Sequence, residues 1–416
     1  MTTASADQRP RLLVLASTYP RWTGDHEPGF VHELSKRLAA DFAVTVLCPH
    51  APGAKVRETL DNVDVVRYRY APQRWERLVN DGGIVTNLRN HPWMTMLLPG
   101  FLLAQLIYAL ALGWRRRPQV IHAHWIIPQA FIAAIACSAI PCGPPIVATS
   151  HGADLFALNG WLPRRLKEWT LRRCAWATVV SHSMLAPLKT LRMPSGRTSV
   201  APMGVDMSRF APDSNVARDS GELLFVGRLV EKKGLRHLID ALPLVIAKFP
   251  DVRLTVIGFG PELAQRQTQV RELGLQDRVC FQGAVAQDQL PALYRRAAML
   301  VAPFTEAKGG DREGLGLVTV EALACGCPVV TTQIEAVKEV FGGQWPPYLA
   351  SPGSPASLAE SVCRVLDDPT SARNWATAQR EQVKARFDWS NVARGYAEAL
   401  ATLRSSAAVS HPPPTT

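Results

Sequence analysis

ELLFVGRLVEKKG, residues 222–234, is the stretch that decides the fold. Its first part, Glu222–Leu229, is an apolar, strand-like run that leads directly into a glycine loop. The chain opens in the same way near its start, with RLLVLAST at Arg11–Thr18. A chain of 416 residues is long enough for two or three domains. The repeated opening therefore predicts that a second domain of the same kind starts in the middle of the chain.

Apolar runs continue after each opening, with helical stretches between them. In the first half the predicted strands are Arg11–Thr18, Ala43–Cys48, Val63–Tyr70, Val120–Trp125, Ile146–Ser150 and Thr178–Ser181; in the second half they are Glu222–Leu229, Val252–Ile257, Val279–Gln282, Met299–Pro303 and Pro328–Thr332. Such strands favour parallel sheets covered on both faces. We therefore predict an α/β protein with two doubly wound, Rossmann-like domains facing across a cleft, at residues 1–205 and 206–375. Helices at 376–405 are predicted to cross back to the first domain, and 406–416 to be a disordered tail.

Two glutamates bracket a glycine-rich turn in the run Glu313–Glu321, EGLGLVTVE. Eight residues are a little over two helical turns, so both acids are predicted to project from nearly the same face. Exposed helix amides between Gly314 and Val318 would form an anion site beside them. Amides flanked by hydroxyl acceptors suit a diphosphate with a sugar at each end, which describes a nucleotide sugar. The alternative is a helix N-terminus with ordinary surface acids.

Two further glycine loops follow predicted strands of the second half. In the loop after Glu222–Leu229, Arg228 and Lys233 are close enough to converge on one anion. In IGFGPE, Gly258 and Gly260 allow the backbone to approach a ligand. This second loop does not match GxGxxG and has no acidic residue placed for a dinucleotide ribose. A dinucleotide-dependent dehydrogenase is therefore disfavoured.

Polar residues also follow strands of the first half. The loop Thr18–Phe30 is longer than a tight connection requires, and Gly24, Gly29 and Phe30 would place amides near a phosphate or acceptor. His151 and Asp154 follow another strand, where a packed histidine and a capping aspartate are the alternative. His122 and His124 share one side of a strand without an evident third ligand, so no metal site is predicted.

The net charge of +11 lies entirely in the first half, where residues 1–205 hold 23 Lys/Arg against 12 Asp/Glu. This asymmetry indicates an anionic partner, such as a phosphorylated acceptor or an anionic membrane surface. Basic residues are not interleaved with aromatics, so nucleic acid is disfavoured. The uncharged stretch Pro92–Trp114 is interrupted by Pro99-Gly100. It favours a buried helix, with a helix on the membrane surface as the alternative and a spanning helix disfavoured.

Eight cysteines without paired CxxC units argue against zinc, and Met1–Arg11 has no apolar core typical of a signal peptide. Reduced thiols and a cytoplasmic location are expected, with peripheral attachment to the inner face of the membrane as a further expectation.

The motifs, in their order and spacing, resemble those of the retaining glycosyltransferases with the GT-B fold, glycosyltransferase family 4 (group 1), of the bacterial envelope or exopolysaccharide type. The resemblance covers roughly residues 10–405. It is carried by Gly227-Arg228 with Lys233, VIGFGP at 256–261, APF at 302–304, Glu313 with Glu321, ACGCPVV at 324–330 and APMGVD at 201–206. HAHWIIP at 122–128 and HGAD at 151–154 resemble an envelope-polysaccharide subset.

The resemblance implies transfer of a hexose from a UDP- or GDP-linked sugar to a glycan or lipid-linked acceptor, with retention and without a cofactor or metal. Glu321 would accept from the ribose hydroxyls, and Glu313 would hold the transferred sugar. Arg228 and Lys233 would neutralise the leaving diphosphate, and His151 would lie beside the reacting sugar. The donor site would further include Gly258, Gly260, Gly314, Gly316 and Leu317, and the acceptor loop Gly24, Gly29, Phe30 and Asp154.

The sequence departs from the family pattern at two places on the acceptor side. The glycine pair after the first strand is separated into Gly24 and Gly29, and Gln333-Ile334 replaces a Gly-Gly pair. Two alternatives remain on the sequence alone: a nucleotide-sugar epimerase with the same fold, and a non-catalytic nucleotide-sugar-binding protein.

Overall fold

The computed structural model describes residues 8–25, 27, 29–80, 83–140, 143–158, 160–193 and 196–410, and for 406–410 only the course of the chain. Most of the predicted tail, from residue 411 onward, lies outside these ranges. The chain divides into two compact units. The seven cysteines within the described ranges are all free thiols.

The first unit contains an eight-stranded sheet. Its strands are β1 (Arg11–Leu15), β2 (Ala43–Pro49), β3 (Arg57–Leu60), β4 (Val63–Tyr68), β5 (Val120–His124), β6 (Ile146–Ser150), β7 (Trp176–Val179) and β8 (Thr198–Val200), in the order β3-β4-β2-β1-β5-β6-β7-β8. Neighbouring strands are parallel except in the β3–β4 pair. The order reverses between β1 and β5, and loops at the carboxyl ends of strands near such a switch point hold ligands in doubly wound sheets.

Helices cover the sheet of the first unit. They are α1 (Phe30–Leu38), α2 (Ile84–Asn90), α3 (Leu98–Arg116), α4 (Phe131–Ser138), α5 (Ala153–Phe156), α6 (Trp161–Leu171) and α7 (Leu185–Lys189). Central strands such as β5 and β6 are buried along their whole length, because helices close both faces. The core on the α3 side joins Leu13 and Ile121 of the strands to Phe101 and Leu112 of α3 and Ala133 of α4.

The second unit contains a six-stranded, fully parallel sheet. Its strands are β9 (Asp219–Val226), β10 (Arg253–Ile257), β11 (Val279–Gly283), β12 (Ala297–Ala302), β13 (Val329–Thr332) and β14 (Leu349–Ala350), in the order β11-β10-β9-β12-β13-β14. Its helices are α8 (Leu235–Lys248), α9 (Leu263–Glu272), α10 (Leu290–Arg296), α11 (Leu317–Ala324), α12 (Glu335–Val340), α13 (Pro355–Asp367) and α14 (Pro369–Phe387). The switch point lies between β9 and β12, so the loops after these two strands begin at neighbouring positions.

The unit boundaries differ from those predicted. The second unit starts at Pro202 rather than at 206 and also includes Ser181–Met184. The last helix, α15 (Trp389–Ser410), belongs to the first unit from Val392 onward, rather than from 376. The reason is that α14 packs on α11, and Arg380 of α14 donates from Nε to the carbonyl oxygen of Ala324 at 3.1 Å. In the first unit, the Tyr396 hydroxyl donates to the carbonyl oxygen of Ala201 at 3.0 Å.

Candidate active site

Two glycine loops of the second unit lie side by side after β9 and β10. The amide of Gly227 donates to the carbonyl oxygen of Ile257 at 3.0 Å, and the amide of Leu229 donates to that of Phe259 at 2.8 Å. Gly258 has a φ of 141°, and a Cβ there would clash with the carbonyl oxygen of Gly227. The loops therefore touch through backbone alone, which only glycine permits at this position.

Lys233, in the loop after β9, and Glu313, in the loop after β12, form an ion pair. The Lys233 Nζ lies 2.9 Å from the Glu313 Oε2, with side chains that are 13% and 14% exposed. The ammonium group also lies 4.8 Å from the centre of the Phe304 ring. Arg228 acts electrostatically on both members of the pair. The structure therefore brings Arg228, Lys233 and Glu313 together from two strand-end loops.

The electrostatics of this cluster favour an ionised carboxylate. Burial alone would raise the pKa of Glu313, but Lys233, Lys232 and Arg228 outweigh it and lower that pKa to about 2. Burial lowers the pKa of Lys233, while the Glu313 carboxylate opposes that change. At 2.9 Å the mutual attraction is strong, so we take both groups to be charged at neutral pH.

A second ion pair lies directly beside the first and fixes its loop. Lys232, which is 6% exposed, places its Nζ 3.1 Å from Asp311 Oδ1 and 3.3 Å from the carbonyl oxygen of Arg312. The adjacent lysines Lys232 and Lys233 thus contact all three positions of the 311–313 loop. The sequence analysis gave Lys232 no role. Its position next to Lys233 was the one feature of the sequence that could have pointed to it.

The prediction that Glu313 and Glu321 project from one helical face is wrong. Helix α11 begins only at Leu317, after Gly316 in the left-handed region at φ 82°. Glu313 lies before the helix, and its Oε1 accepts from the Gly316 amide at 3.2 Å. A Cβ at Gly316 would lie 3.2 Å from the Phe304 ring. Glycine is needed here because the chain must turn sharply into α11 against that ring.

The N-terminus of α11 retains the features of an anion site. Its first amides have no partner within the helix, as at any helix start. The Thr319 side chain is fully buried, and its hydroxyl lacks a hydrogen-bond partner among the described residues. Gly314, Gly316 and Leu317, which were predicted to bind the donor, lie in or beside this turn.

Glu321 lies one turn into α11 and is 8% exposed. Its Oε2 accepts a hydrogen bond from the Tyr294 hydroxyl of α10 at 2.9 Å. Burial raises the pKa of Glu321 to about 7, opposed by Tyr294 and Lys233. Tyr294 was missed in the sequence, because a tyrosine in a helix carries no signal of its partner 27 positions away.

In the first unit, His151 lies among aromatic side chains after β6. Its ring centre is 4.8 Å from that of Phe30, at the start of α1, and 4.9 Å from that of Trp125, after β5. Its Nε2 lies 2.9 Å from the Nδ1 of His124, the last residue of β5. Burial lowers the pKa of His151 to about 3 and also lowers that of His124, so both rings are neutral.

Asp154 is buried and stabilises the turn after β5 through hydrogen bonds. Its Oδ2 accepts from the amide of Ile126 at 2.7 Å, and its Oδ1 accepts from the Ser150 hydroxyl at 2.8 Å. Burial raises its pKa, against the hydrogen bonds from Ile126 and Ser150. These contacts explain how Asp154 shapes the loop around His151.

Gly24 and Gly29 lie in the loop after β1, where Gly29 precedes the first residue of α1. Gly24 is exposed and has a φ of 79°. Within the described ranges, no group of three or more His, Cys, Asp or Glu is placed to hold a metal ion.

Two family models match this chain. The model of glycosyl transferases group 1 matches residues 207–382, and that of Glycosyltransferase Family 4 matches residues 30–209. The glycogen synthase of Mycobacterium tuberculosis is 31% identical over 401 residues, which cover 93% of this chain and 94% of that protein. The chain belongs to glycosyltransferase family 4. It is a glycosyltransferase, as predicted.

A second relative has a name that describes transfer of mannose to a lipid. The GDP-mannose-dependent alpha-(1-6)-phosphatidylinositol monomannoside mannosyltransferase of Mycolicibacterium smegmatis is 31% identical over 276 residues, which cover 63% of this chain and 71% of that protein. Both family models describe glycosyltransferases, and they favour transfer over the epimerase alternative.

Solved structures confirm the predicted GT-B fold of this family 4 chain. Sucrose-phosphate synthase from Thermosynechococcus elongatus has a TM-score of 0.74 at 22% identity, covering 96% of this chain and all (100%) of that one. The Anabaena protein HepE in complex with UDP-glucose has a TM-score of 0.72 at 18% identity, covering 94% and 99%. At these identities the likeness concerns the fold alone.

Proposed function

We propose that this enzyme transfers a hexose from a nucleoside-diphosphate sugar to a glycan or lipid-linked acceptor, with retention of anomeric configuration and without a metal. The observation that carries the proposal is the buried Lys233–Glu313 pair beside Arg228, next to the N-terminus of α11. Two cations and helix N-terminal amides suit a diphosphate, and carboxylates on either side suit the hydroxyls of two sugars.

Each donor-site residue has a distinct role in this proposal. Arg228 and Lys233 bind the diphosphate, and the amides of Gly316 and Leu317 add to the positive potential. Glu321 accepts hydrogen bonds from the ribose hydroxyls. Glu313, already ionised by Lys233, accepts from hydroxyls of the transferred sugar.

In the reaction, the bond between the anomeric carbon and the diphosphate oxygen breaks, and its electron pair stays with the diphosphate. The acceptor hydroxyl forms the new bond on the same face of the sugar, and its proton passes to the departing phosphate oxygen. Negative charge grows on the diphosphate as the bond breaks. The fixed cations Arg228 and Lys233 therefore bind the transition state more tightly than the ground state.

The first unit supplies the acceptor side. His151, Phe30 and Trp125 form an aromatic wall against which a sugar ring can stack, and the loop with Gly24 and Gly29 borders it. The names of the relatives support both a glycan and a phosphatidylinositol-linked acceptor. The positive charge of residues 1–205 supports a location in the cytoplasm, in peripheral contact with the inner face of the membrane.

A thermal-shift screen with UDP-, GDP- and ADP-sugars tests the donor site. A nucleotide present at 100 times its Kd stabilises by about 2.7 kcal/mol, which raises the Tm by roughly 5–10 °C for a domain of this size. The nucleotide that stabilises the protein is then used in transfer assays with glycan and lipid-linked acceptors.

The matched variant is Glu321→Gln, which keeps the side-chain size and removes the charge. Because Glu321 is proposed to accept from the ribose hydroxyls, this variant should be stabilised less by the nucleotide than the wild type is. Absence of stabilisation by all three nucleotide classes would refute the donor site. Conversion of the donor sugar without an acceptor would support the epimerase alternative instead.

A further inference from the structure

Helix α3 and the turn before it expose an apolar face that none of the described residues of the first unit covers. One face of the helix, with Phe101 and Leu112, packs in the core. The opposite face exposes large apolar side chains, which we call the apolar stripe: Met96 (81% exposed), Leu103 (59%), Ile107 (54%) and Trp114 (55%).

The stripe follows the helical period. Leu103, Ile107 and Trp114 are four and seven positions apart, so they lie within about 40° of one another around the axis. A surface helix of a globular protein normally carries polar residues on its outer face. From Pro92 to Trp114 there is no Lys, Arg, Asp or Glu. An 18-residue window within Pro92–Arg116 has a mean hydropathy of 1.9, yet only 33% of that window is buried.

Basic residues border the stripe. Arg115, Arg116 and Arg117 follow Trp114 and are all exposed. Arg57, Arg115 and Arg116 also line a groove of about 470 Å³ beside Ile107. Of these, Arg116 shares its charge with Asp64, at 3.3 Å. An apolar helix face with arginines along its border matches the chemistry of an anionic lipid surface.

We propose that the apolar stripe docks the first unit on an anionic membrane, with α3 lying parallel to the surface. This deepens the proposed function, because a lipid-linked acceptor would lie in that same surface. A spanning helix does not fit, since Phe101 and Leu112 are packed in the core of the sheet. A second copy of the chain fits less well, because it would bring equal positive charge to this face, whereas anionic headgroups neutralise it.

Flotation with phosphatidylcholine vesicles containing 0, 20 or 40% phosphatidylglycerol tests the proposal on the full chain. We expect binding to rise with the anionic fraction and to fall at about 1 M salt, where the Debye length is roughly 3 Å. Leu103→Gln/Ile107→Gln should reduce binding at least tenfold. Leu244→Gln/Leu273→Gln, which changes two exposed leucines of the second unit, is the matched control and should bind like the wild type.

Equal flotation of the stripe variant and the wild type would overturn the proposal. A wild-type dimer in light scattering that the stripe variant abolishes, without vesicle binding, would assign the face to a second copy.

Transfer to a water-soluble acceptor should persist in the stripe variant, because the stripe is proposed to bind the membrane and not the substrates. If the stripe variant lost this transfer but still bound vesicles, the docking role would be refuted. Failure of the thermal-shift screen with nucleotide sugars would instead concern the proposed function alone.

A different observation concerns the tautomer of His151. The 2.9 Å contact between His124 Nδ1 and His151 Nε2 requires one proton between two neutral rings. If His151 donated, the proton of His124 would lie on Nε2. That atom is buried and has no hydrogen-bond partner among the described residues. Buried N–H groups without an acceptor are rare in folded proteins, so His124 is the donor.

We infer that His124 is a positioning residue, which holds His151 in the tautomer that carries its proton on Nδ1. His151 then offers a fixed N–H donor to a sugar hydroxyl or phosphate oxygen, since none of the described residues bonds its Nδ1. The inference rests on the proposed function only for what His151 contacts. The tautomer itself follows from the contact and the burial.

Nitrogen NMR of ¹⁵N-histidine-labelled enzyme tests the tautomer independently of activity. We expect Nδ1 protonation of His151 in the wild type and in His124→Asn, whose side-chain amide can replace the Nδ1 donor. His124→Leu should lose this tautomer and lower kcat at least tenfold with little change in the KM for donor. His122→Leu is the matched control, because His122 is equally buried but bonds Thr149 at 2.8 Å instead of His151.

An Nε2-protonated His151 in the wild type would overturn the inference, as would equal losses in His122→Leu and His124→Leu. A correct tautomer together with full activity of His151→Phe would leave the NMR result standing and refute the proposed role of His151.

Discussion

Substitution of Lys233 by methionine should separate the structural role of the Lys233–Glu313 pair from its role in transfer. The change keeps the aliphatic side chain and removes the ammonium group. Glu313 would then be a buried carboxylate without its nearest cation. Lys232, which also pairs with Asp311 at 3.1 Å, and Arg228 would remain to compensate in part.

The magnitude follows from the pKa of Glu313. That pKa is about 2, against an ordinary value of 4.5. The gap of about 2.5 pH units corresponds to roughly 3 kcal/mol, which Lys233, as the largest of the three cationic influences, shares with Lys232 and Arg228. Removing one partner of a buried pair costs about 3–5 kcal/mol in general. We therefore expect Lys233→Met to lower the free energy of unfolding at pH 7 by about 3 kcal/mol.

Urea unfolding followed by tryptophan fluorescence measures this loss. Lys233→Met/Glu313→Gln should recover most of the stability, because neither side chain is then charged. It should not recover transfer, since the leaving diphosphate still lacks its cation. Lys248→Met removes an exposed lysine that pairs with Asp367 and should leave both stability and transfer unchanged.

Two results would refute this reasoning. Wild-type stability in Lys233→Met would show that the pair is not a buried ion pair. Recovery of transfer in the double variant would show that Lys233 serves only to neutralise Glu313 and does not act on the diphosphate.

Further predictions concern the same site. Because the pKa of Glu321 is raised to about 7, its carboxylate is protonated in acid; nucleotide affinity measured by calorimetry should therefore rise from pH 5.5 to 8, and Glu321→Gln should abolish that rise. Arg228→Ala should lower kcat/KM at least tenfold, since a charge-assisted hydrogen bond contributes about 1.5–3 kcal/mol, and wild-type turnover would exclude this role. Transfer should survive EDTA; loss of activity that magnesium or manganese restores would show that a metal is required. The free energy of unfolding should fall as the pH drops from 4.5 towards 2 through protonation of Glu313, and Glu313→Gln should show a smaller fall.

The local sequence was sufficient for the fold because the main strands are continuous apolar runs. Eleven predicted runs correspond to strands of the two sheets. Three strands were missed: β3 is polar and half-exposed at the sheet edge, and β8 and β14 have only three and two residues. Short edge strands carry too little periodicity to be distinguished from loops.

The glycine loops were also readable, because a glycine directly after an apolar strand is typical of a tight turn or a close backbone approach. Gly227, Gly258 and Gly316 all have positive φ at turns where a side chain would be strained or crowded. The start of α11 was misplaced, however. Gly314 and Gly316 could both begin a helix, and the sequence does not show that the Phe304 ring, twelve positions earlier, folds back against Gly316.

The sequence by itself determined that two parallel-sheet domains form, that charged residues follow their strands and that the chain resembles family 4. Tertiary structure decided which of these charges meet. Lys233 and Glu313 are 80 positions apart. The local sequence does not show that Lys233 Nζ lies 2.9 Å from Glu313 Oε2, or that three cations outweigh burial and lower the pKa of Glu313 to about 2. The same holds for Tyr294 with Glu321 and for His124 with His151. Local patterns specify backbone conformation, whereas the energy of a charge depends on what surrounds it in space, and only the folded chain fixes those surroundings.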